Sequence, residues 1–127
     1  MSDENKLPAG SVAWIDLTVA DAPGVRDFYK DVVGWDAEGC QMDGYEDFNM
    51  MPGGTGQPVA GICHAKDTNA GMPASWMIYI TVPDIDKAIA KCTEHGGKVL
   101  LGPKGEQAKF CVIEDPAGAV CALWESK

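Results

Sequence analysis

Histidine is scarce in this chain, with His64 and His95 the two in 127 residues. A site built on several imidazoles is therefore excluded. Basic residues are also few: ten Lys and Arg stand against nineteen Asp and Glu, a formal net charge of −9. Phosphate binding needs Lys and Arg to displace counterions, so no nucleic-acid partner is expected. Docking on anionic lipid is disfavoured by the same charge. No apolar run approaches the roughly 20 residues that span a bilayer, so no membrane partner is expected either. The opening Met1–Lys6 is polar and lacks an apolar stretch of the secretory kind, which predicts a cytoplasmic protein. Five cysteines, Cys40, Cys63, Cys92, Cys111 and Cys121, are odd in number and contain no CxxC spacing. Reduced, buried thiols are expected rather than a disulfide framework or a metal cluster.

What is present is a globular balance, 46% hydrophobic and 23% charged residues. The length fits one domain, 1–127, in which about two-thirds of the unfolded chain's surface can be buried. The sequence also repeats itself. Trp14-Ile-Asp-Leu-Thr-Val-Ala-Asp21 aligns with Met77-Ile-Tyr-Ile-Thr-Val-Pro-Asp84 at an offset of 63 residues. Both stretches alternate apolar residues at period two and lead into a helix start. Asp21 and Asp84 are the expected N-caps, with Pro23 in the first turn, where its missing N–H costs little. Val25, Phe28, Tyr29 and Val32 then share one helical face, as do Ile85, Ala88, Ile89 and Cys92. Gly34 and Gly96-Gly97 suit the left-handed position after each helix. Strands are expected near 35–41, 45–51 and 57–65, and again near 98–102, 109–114 and 119–125. Gly53–Gly56 and Asp115–Gly118 supply turns. Each half reads β-α-β-β-β, module one about 10–66 and module two about 74–126, with Lys66–Ser75 between them.

Leu17-Thr-Val-Ala-Asp21, Phe28-Tyr29-Lys30, Val33-Gly34-Trp35, Val59-Ala-Gly-Ile62, Trp76–Asp84, Gly96-Gly97-Lys98 and Asp115-Pro-Ala-Gly118 carry a resemblance. The chain resembles the vicinal oxygen chelate superfamily of glyoxalases, bleomycin-resistance proteins and extradiol dioxygenases, in an uncharacterised glyoxalase-like branch. The resemblance implies an α+β fold: two tandem βαβββ modules forming a half-open, eight-stranded cup with helices outside. Strand parity is consistent with that picture. Ile15, Leu17 and Val19 should face helix one, leaving Trp14, Asp16 and Thr18 in the concavity. Ile78, Ile80, Val82, Cys121 and Leu123 should face helix two, leaving Met77, Tyr79, Thr81, Val120, Ala122 and Trp124 inside.

Active members of the resembled family hold a divalent cation with His, Glu or Gln from the inward strand faces, as a Lewis acid. The resemblance maps its four ligand positions onto Trp14, Gly61, Met77 and Ala122, none of which supplies an imidazole or carboxylate. No metal and no cofactor are expected. The leading reading is a binder of a small organic molecule in an aromatic cup, with Trp14, Asp16, Thr18, Tyr45, Phe48, Gly61, Cys63, Trp76, Met77, Tyr79, Ala122 and Trp124 as ligand-binding candidates. An alternative is a glyoxalase-like lyase or isomerase, metal-free or with a relocated metal. Its acid or base would come from Asp16, Tyr79 or Glu114. A third reading is an interaction protein whose cup is closed by its own rings. Family analogy implies a homodimer.

Overall fold

The computed structural model describes residues 7–66, 71–105 and 109–125. Met1–Lys6 and part of the Lys66–Ser75 link therefore lie outside the described residues. Eight strands and two helices run in the order β1 (Val12–Val19), α1 (Ala22–Val33), β2 (Asp36–Gln41), β3 (Glu46–Met51), β4 (Ala60–His64), β5 (Trp76–Val82), α2 (Ile85–Glu94), β6 (Lys98–Lys104), β7 (Phe110–Glu114) and β8 (Val120–Glu125). The fold is α+β, two βαβββ modules in sequence, as the repeat predicts. Two compact units emerge, Ile15–Trp76 and Met1–Trp14 with Met77–Lys127.

In the unit Ile15–Trp76 the strand order is β2-β3-β4-β1, with β1 parallel to β4 and the other pairs antiparallel. In the other unit the order is β5-β8-β7-β6, with β5 parallel to β8. The residues leading into β1 join this second ladder, where the Thr81 N–H donates to the Ser11 carbonyl at 2.9 Å. Neither ladder closes, since β2 pairs with β3 alone and β6 with β7 alone among the described residues.

The helix signals act where the sequence places them. Asp21 Oδ1 accepts from the Gly24 N–H and Asp84 Oδ1 from the Lys87 N–H, both at 3.1 Å. Each bond satisfies one of the otherwise orphaned amides of a first helical turn. Gly34, at φ 76°, ends α1 in the left-handed region that a side chain would strain. A further device caps α2: the Ile85 N–H donates to Glu125 Oε2 at 2.8 Å. That carboxylate is buried at the positive end of the helix dipole.

Each sheet buries one face under its helix. Ile85, Cys111 and Leu123 form the core beneath α2, joined by Ile80, Val82, Ala88, Ile89 and Ile113. Ala22, Phe48, Met50 and Ile62 form the core beneath α1, joined by Val19, Val25, Tyr29 and Trp35. The expected apolar stripe of α1 is only half covered. Val25 and Tyr29 pack inward, but Phe28 and Val32 are 55% and 61% exposed. Ile78, expected beneath helix two, is likewise exposed and stands outside that core cluster.

Candidate functional site

The face of the second unit's sheet turned away from α2 is set by strand alternation. Tyr79 lies opposite Ala122, Thr81 and Phe110 both lie opposite Trp124, and Val112 lies opposite Ala122. Directly opposed residues share a face, so these side chains stand on the side that the α2 core leaves free. Here a cavity of about 370 Å³ is lined by Ala13, Trp14, Tyr79, Phe110 and Trp124. The volume falls at the lower end of the roughly 300–1,000 Å³ of small-molecule sites. Its walls are almost wholly apolar, and no lining residue carries a charge.

Of the sequence-derived candidates, Trp14, Tyr79 and Trp124 come together around this cavity. Met77 and Ala122 belong to the same unit and are buried at 3% and 0% exposure. Glu114 shares the β7 face with Phe110 but stands about 13 Å further along the strand, at roughly 3.3 Å per residue. It borders the turn at which Asp115 Oδ1 accepts from the Ala117 and Ala119 N–H groups at 2.8 and 3.0 Å. Phe110 was missing from the sequence-derived set. The signal for it is strand parity: from the candidate Glu114, two steps of period-two counting lead through Val112 to Phe110.

The remaining candidates lie in the unit Ile15–Trp76. Asp16 pairs with Gly61 and Thr18 with Cys63 across β1 and β4. Thr18 is 4% exposed, and Asp47, also buried, accepts from the His64 N–H at 2.9 Å. Burial, reinforced by the charges of Asp16 and Asp47, pushes the Cys63 thiol far up. Cys63 is thereby a protonated, unreactive thiol.

Three aromatic candidates stand elsewhere than the concave face expected for them. Phe48 lies opposite Ile62, which is fully buried under α1, so its ring belongs to the helix-side core. The Arg26 guanidinium caps that ring at 4.6 Å from its centroid. Trp76 donates its indole N–H to the Tyr29 hydroxyl at 3.1 Å and meets the Tyr29 and Trp35 rings edge-on. Tyr45 packs edge-on against His64, with the Lys66 ammonium 5.1 Å from its ring centroid. Each ring has a packing partner of its own, and none lines the cavity.

The chemistry of the donor set does not fit the cation that the resembled family uses. Trp14, Met77 and Ala122 in one unit offer an indole, a buried thioether and a methyl, and Gly61 in the other offers no side chain. Among the described residues, no three His, Cys, Asp or Glu side chains gather in an arrangement that could hold a metal ion.

Comparison with known proteins agrees with the fold. The Glyoxalase/Bleomycin resistance protein/Dioxygenase superfamily matches residues 11–123. CFP32 of Mycobacterium tuberculosis, whose glyoxylase name is provisional, is 30% identical over 138 residues, covering 99% of this chain and 49% of that protein. The anthracycline biosynthesis protein DnrV of Streptomyces peucetius is 31% identical over 133 residues, covering 94% of this chain and 48% of its own. This chain thus spans about half the length of these relatives. The crystal structure of the hypothetical protein BH1468 from Bacillus halodurans superimposes with a TM-score of 0.63 at 15% identity, covering 94% of this chain and 96% of that one. By its sequence, the chain belongs to the glyoxalase/bleomycin resistance protein/dioxygenase superfamily.

Proposed function

We propose that this protein binds a small, flat, apolar organic molecule between Trp14, Tyr79, Phe110 and Trp124, without a metal ion. The observation that carries the reading is the cavity of about 370 Å³ walled by four aromatic side chains. Such rings offer stacking and edge-on contacts to a planar ligand at low entropic cost. The replacement of the family's ligand positions by Trp14, Gly61, Met77 and Ala122 supports metal independence. The name of the relative DnrV, in anthracycline biosynthesis, is consistent with a fused-ring ligand. Calorimetric titration with ethylnaphthalene tests the reading. Saturable binding of one molecule per chain, weakened in Phe110→Ala, is expected. Absence of saturable binding, or binding indifferent to that substitution, would remove it.

A metal-free lyase or isomerase is the second reading, favoured by one observation. Tyr79, alone among the acid–base candidates, lines the cavity. Its phenol would serve as acid or base only if Tyr79→Phe abolished turnover while leaving ligand binding intact.

We infer a cytoplasmic location from five free cysteines, of which Cys111 is fully buried. A homodimer is proposed through α1, where Phe28, Val32 and Val33 are exposed. On that helix Arg26 and Lys30 balance Asp27 and Asp31, so a second copy meets little of the chain's net negative charge. A monomeric mass in light scattering would contradict the homodimer.

A further inference from the structure

Two of the five residues that line the cavity, Ala13 and Trp14, follow directly on the segment 8–11. That segment is fastened to β5 at Thr81. The Thr81 hydroxyl donates to the Pro8 carbonyl at 2.9 Å and accepts from the Ser11 N–H at 3.1 Å. The Thr81 N–H donates to the Ser11 carbonyl at 2.9 Å, and the Thr81 carbonyl accepts from the Gly10 N–H at 2.8 Å. The segment is also tied to itself, since the Ser11 hydroxyl donates to the Pro8 carbonyl at 2.6 Å. Four hydrogen bonds thus join one residue of β5 to a segment some 70 positions earlier in the chain.

Thr81 stands on the cavity face of the sheet, two positions beyond Tyr79 on β5 and directly opposite Trp124. It is nevertheless 1% exposed and lines no part of the cavity. A buried hydroxyl costs free energy unless it is hydrogen-bonded, and valine has the same shape without that demand. Here the hydroxyl both donates and accepts, and both partners belong to the segment that runs on into Trp14. Three residues separate Ser11 from Trp14, roughly 10 Å of extended chain. Because β1 begins at Val12, a shift of the fastened end is carried along the strand to Ala13 and the Trp14 ring.

Resting on the cavity reading above, we propose that Thr81 is a positioning residue for the ligand site. Its hydroxyl clasps the segment 8–11 and thereby sets Ala13 and Trp14 in the wall, so that docking of the segment and ligand binding favour each other. The test is equilibrium dialysis of ethylnaphthalene against the native protein, Thr81→Val, Thr81→Ser and Asp84→Ala. Valine keeps the shape and removes both side-chain bonds, and the ligand then binds the docked fraction of molecules alone. Affinity should fall about 5- to 10-fold, as loss of neutral hydrogen bonds implies. Serine retains the hydroxyl and should restore most of that affinity. Asp84→Ala removes the α2 cap, lowering stability without touching the segment, and should leave affinity unchanged. Native affinity in Thr81→Val, a serine variant as weak as the valine one, or an equal loss in Asp84→Ala would overturn the clasp and leave the cavity reading intact. Failure of the native protein to bind would overturn the two together. Hydrogen exchange on the native protein gives an answer independent of any variant's folding. Saturating ethylnaphthalene should slow exchange of the Gly10 and Ser11 amides about 10-fold or more, because bound ligand opposes release of the segment. Unchanged exchange at saturation would refute the coupling.

Discussion

Truncating Phe110 to alanine separates the two jobs an aromatic side chain can do, filling a core or forming a ligand's wall. Phe110 faces Trp124 directly across β7 and β8 and lines the cavity, yet it is half-buried and stands outside the α2 core cluster. Its cross-strand pair with Trp124 contributes about 0.2–1 kcal/mol to stability. The substitution should therefore lower unfolding free energy by about 1 kcal/mol, well short of the 3–5 kcal/mol for a fully packed Phe. Binding should suffer more. A planar ligand that loses the ring forfeits an aromatic contact of about 1 kcal/mol. Re-exposure of roughly 40 Å² of apolar ligand surface costs about 1 kcal/mol more. The sum of about 2 kcal/mol corresponds to roughly 30-fold weaker affinity. Urea unfolding and calorimetric titration on the same preparation read both quantities. A loss of 3 kcal/mol or more in stability, with affinity changed less than about threefold, would show that the ring is core and that the cavity is no binding site.

Three further outcomes follow from the fold. Glu125→Ala should destabilise the protein by about 1–3 kcal/mol in urea, because it strips the buried Ile85 N–H of its acceptor; an effect under 0.5 kcal/mol would contradict the capping role. Gly102→Ala should cost about 1–2 kcal/mol or more, since φ is +87° and an added Cβ would meet the Phe110 carbonyl oxygen at 2.8 Å. A measured stability equal to that of the parent would refute it. Burial raises the Cys111 thiol to about 11 from its ordinary 9.0. Its contribution should be complete below pH 9 and lost as pH climbs to 11, an upper bound of about 3 kcal/mol. Cys111→Ala should therefore flatten stability against pH across that window, and an unchanged slope would dismiss the linkage.

Local signals were readable because they depend on short spacings. Asp21 and Asp84 cap the helices that the 63-residue repeat implies, and Gly34 ends α1 in the expected left-handed turn. The parity of β5 and β8 placed Tyr79 and Trp124 on the open face, and both line the cavity. Parity failed where residue type was allowed to replace it. The aromatic character that makes Phe48 and Trp76 candidates for the concavity carries no information on which face of the sheet they take. The β3–β4 register, which pairs Phe48 with Ile62, depends on the connection between Met51 and Ala60, whose path no period encodes. Coverage of a helix was equally hidden. Phe28 and Val32 follow the same spacing as Val25 and Tyr29, but how far round α1 the sheet reaches is a tertiary fact. The Glu125 cap joins residues forty positions apart and left no local trace.

A crystal structure of the protein equilibrated with ethylnaphthalene addresses the account most directly. Planar density bounded by the Trp14, Tyr79, Phe110 and Trp124 side chains, with no cation beside it, is the predicted result. Density for the hydrocarbon elsewhere, or those rings collapsed on one another over an empty site, would contradict it.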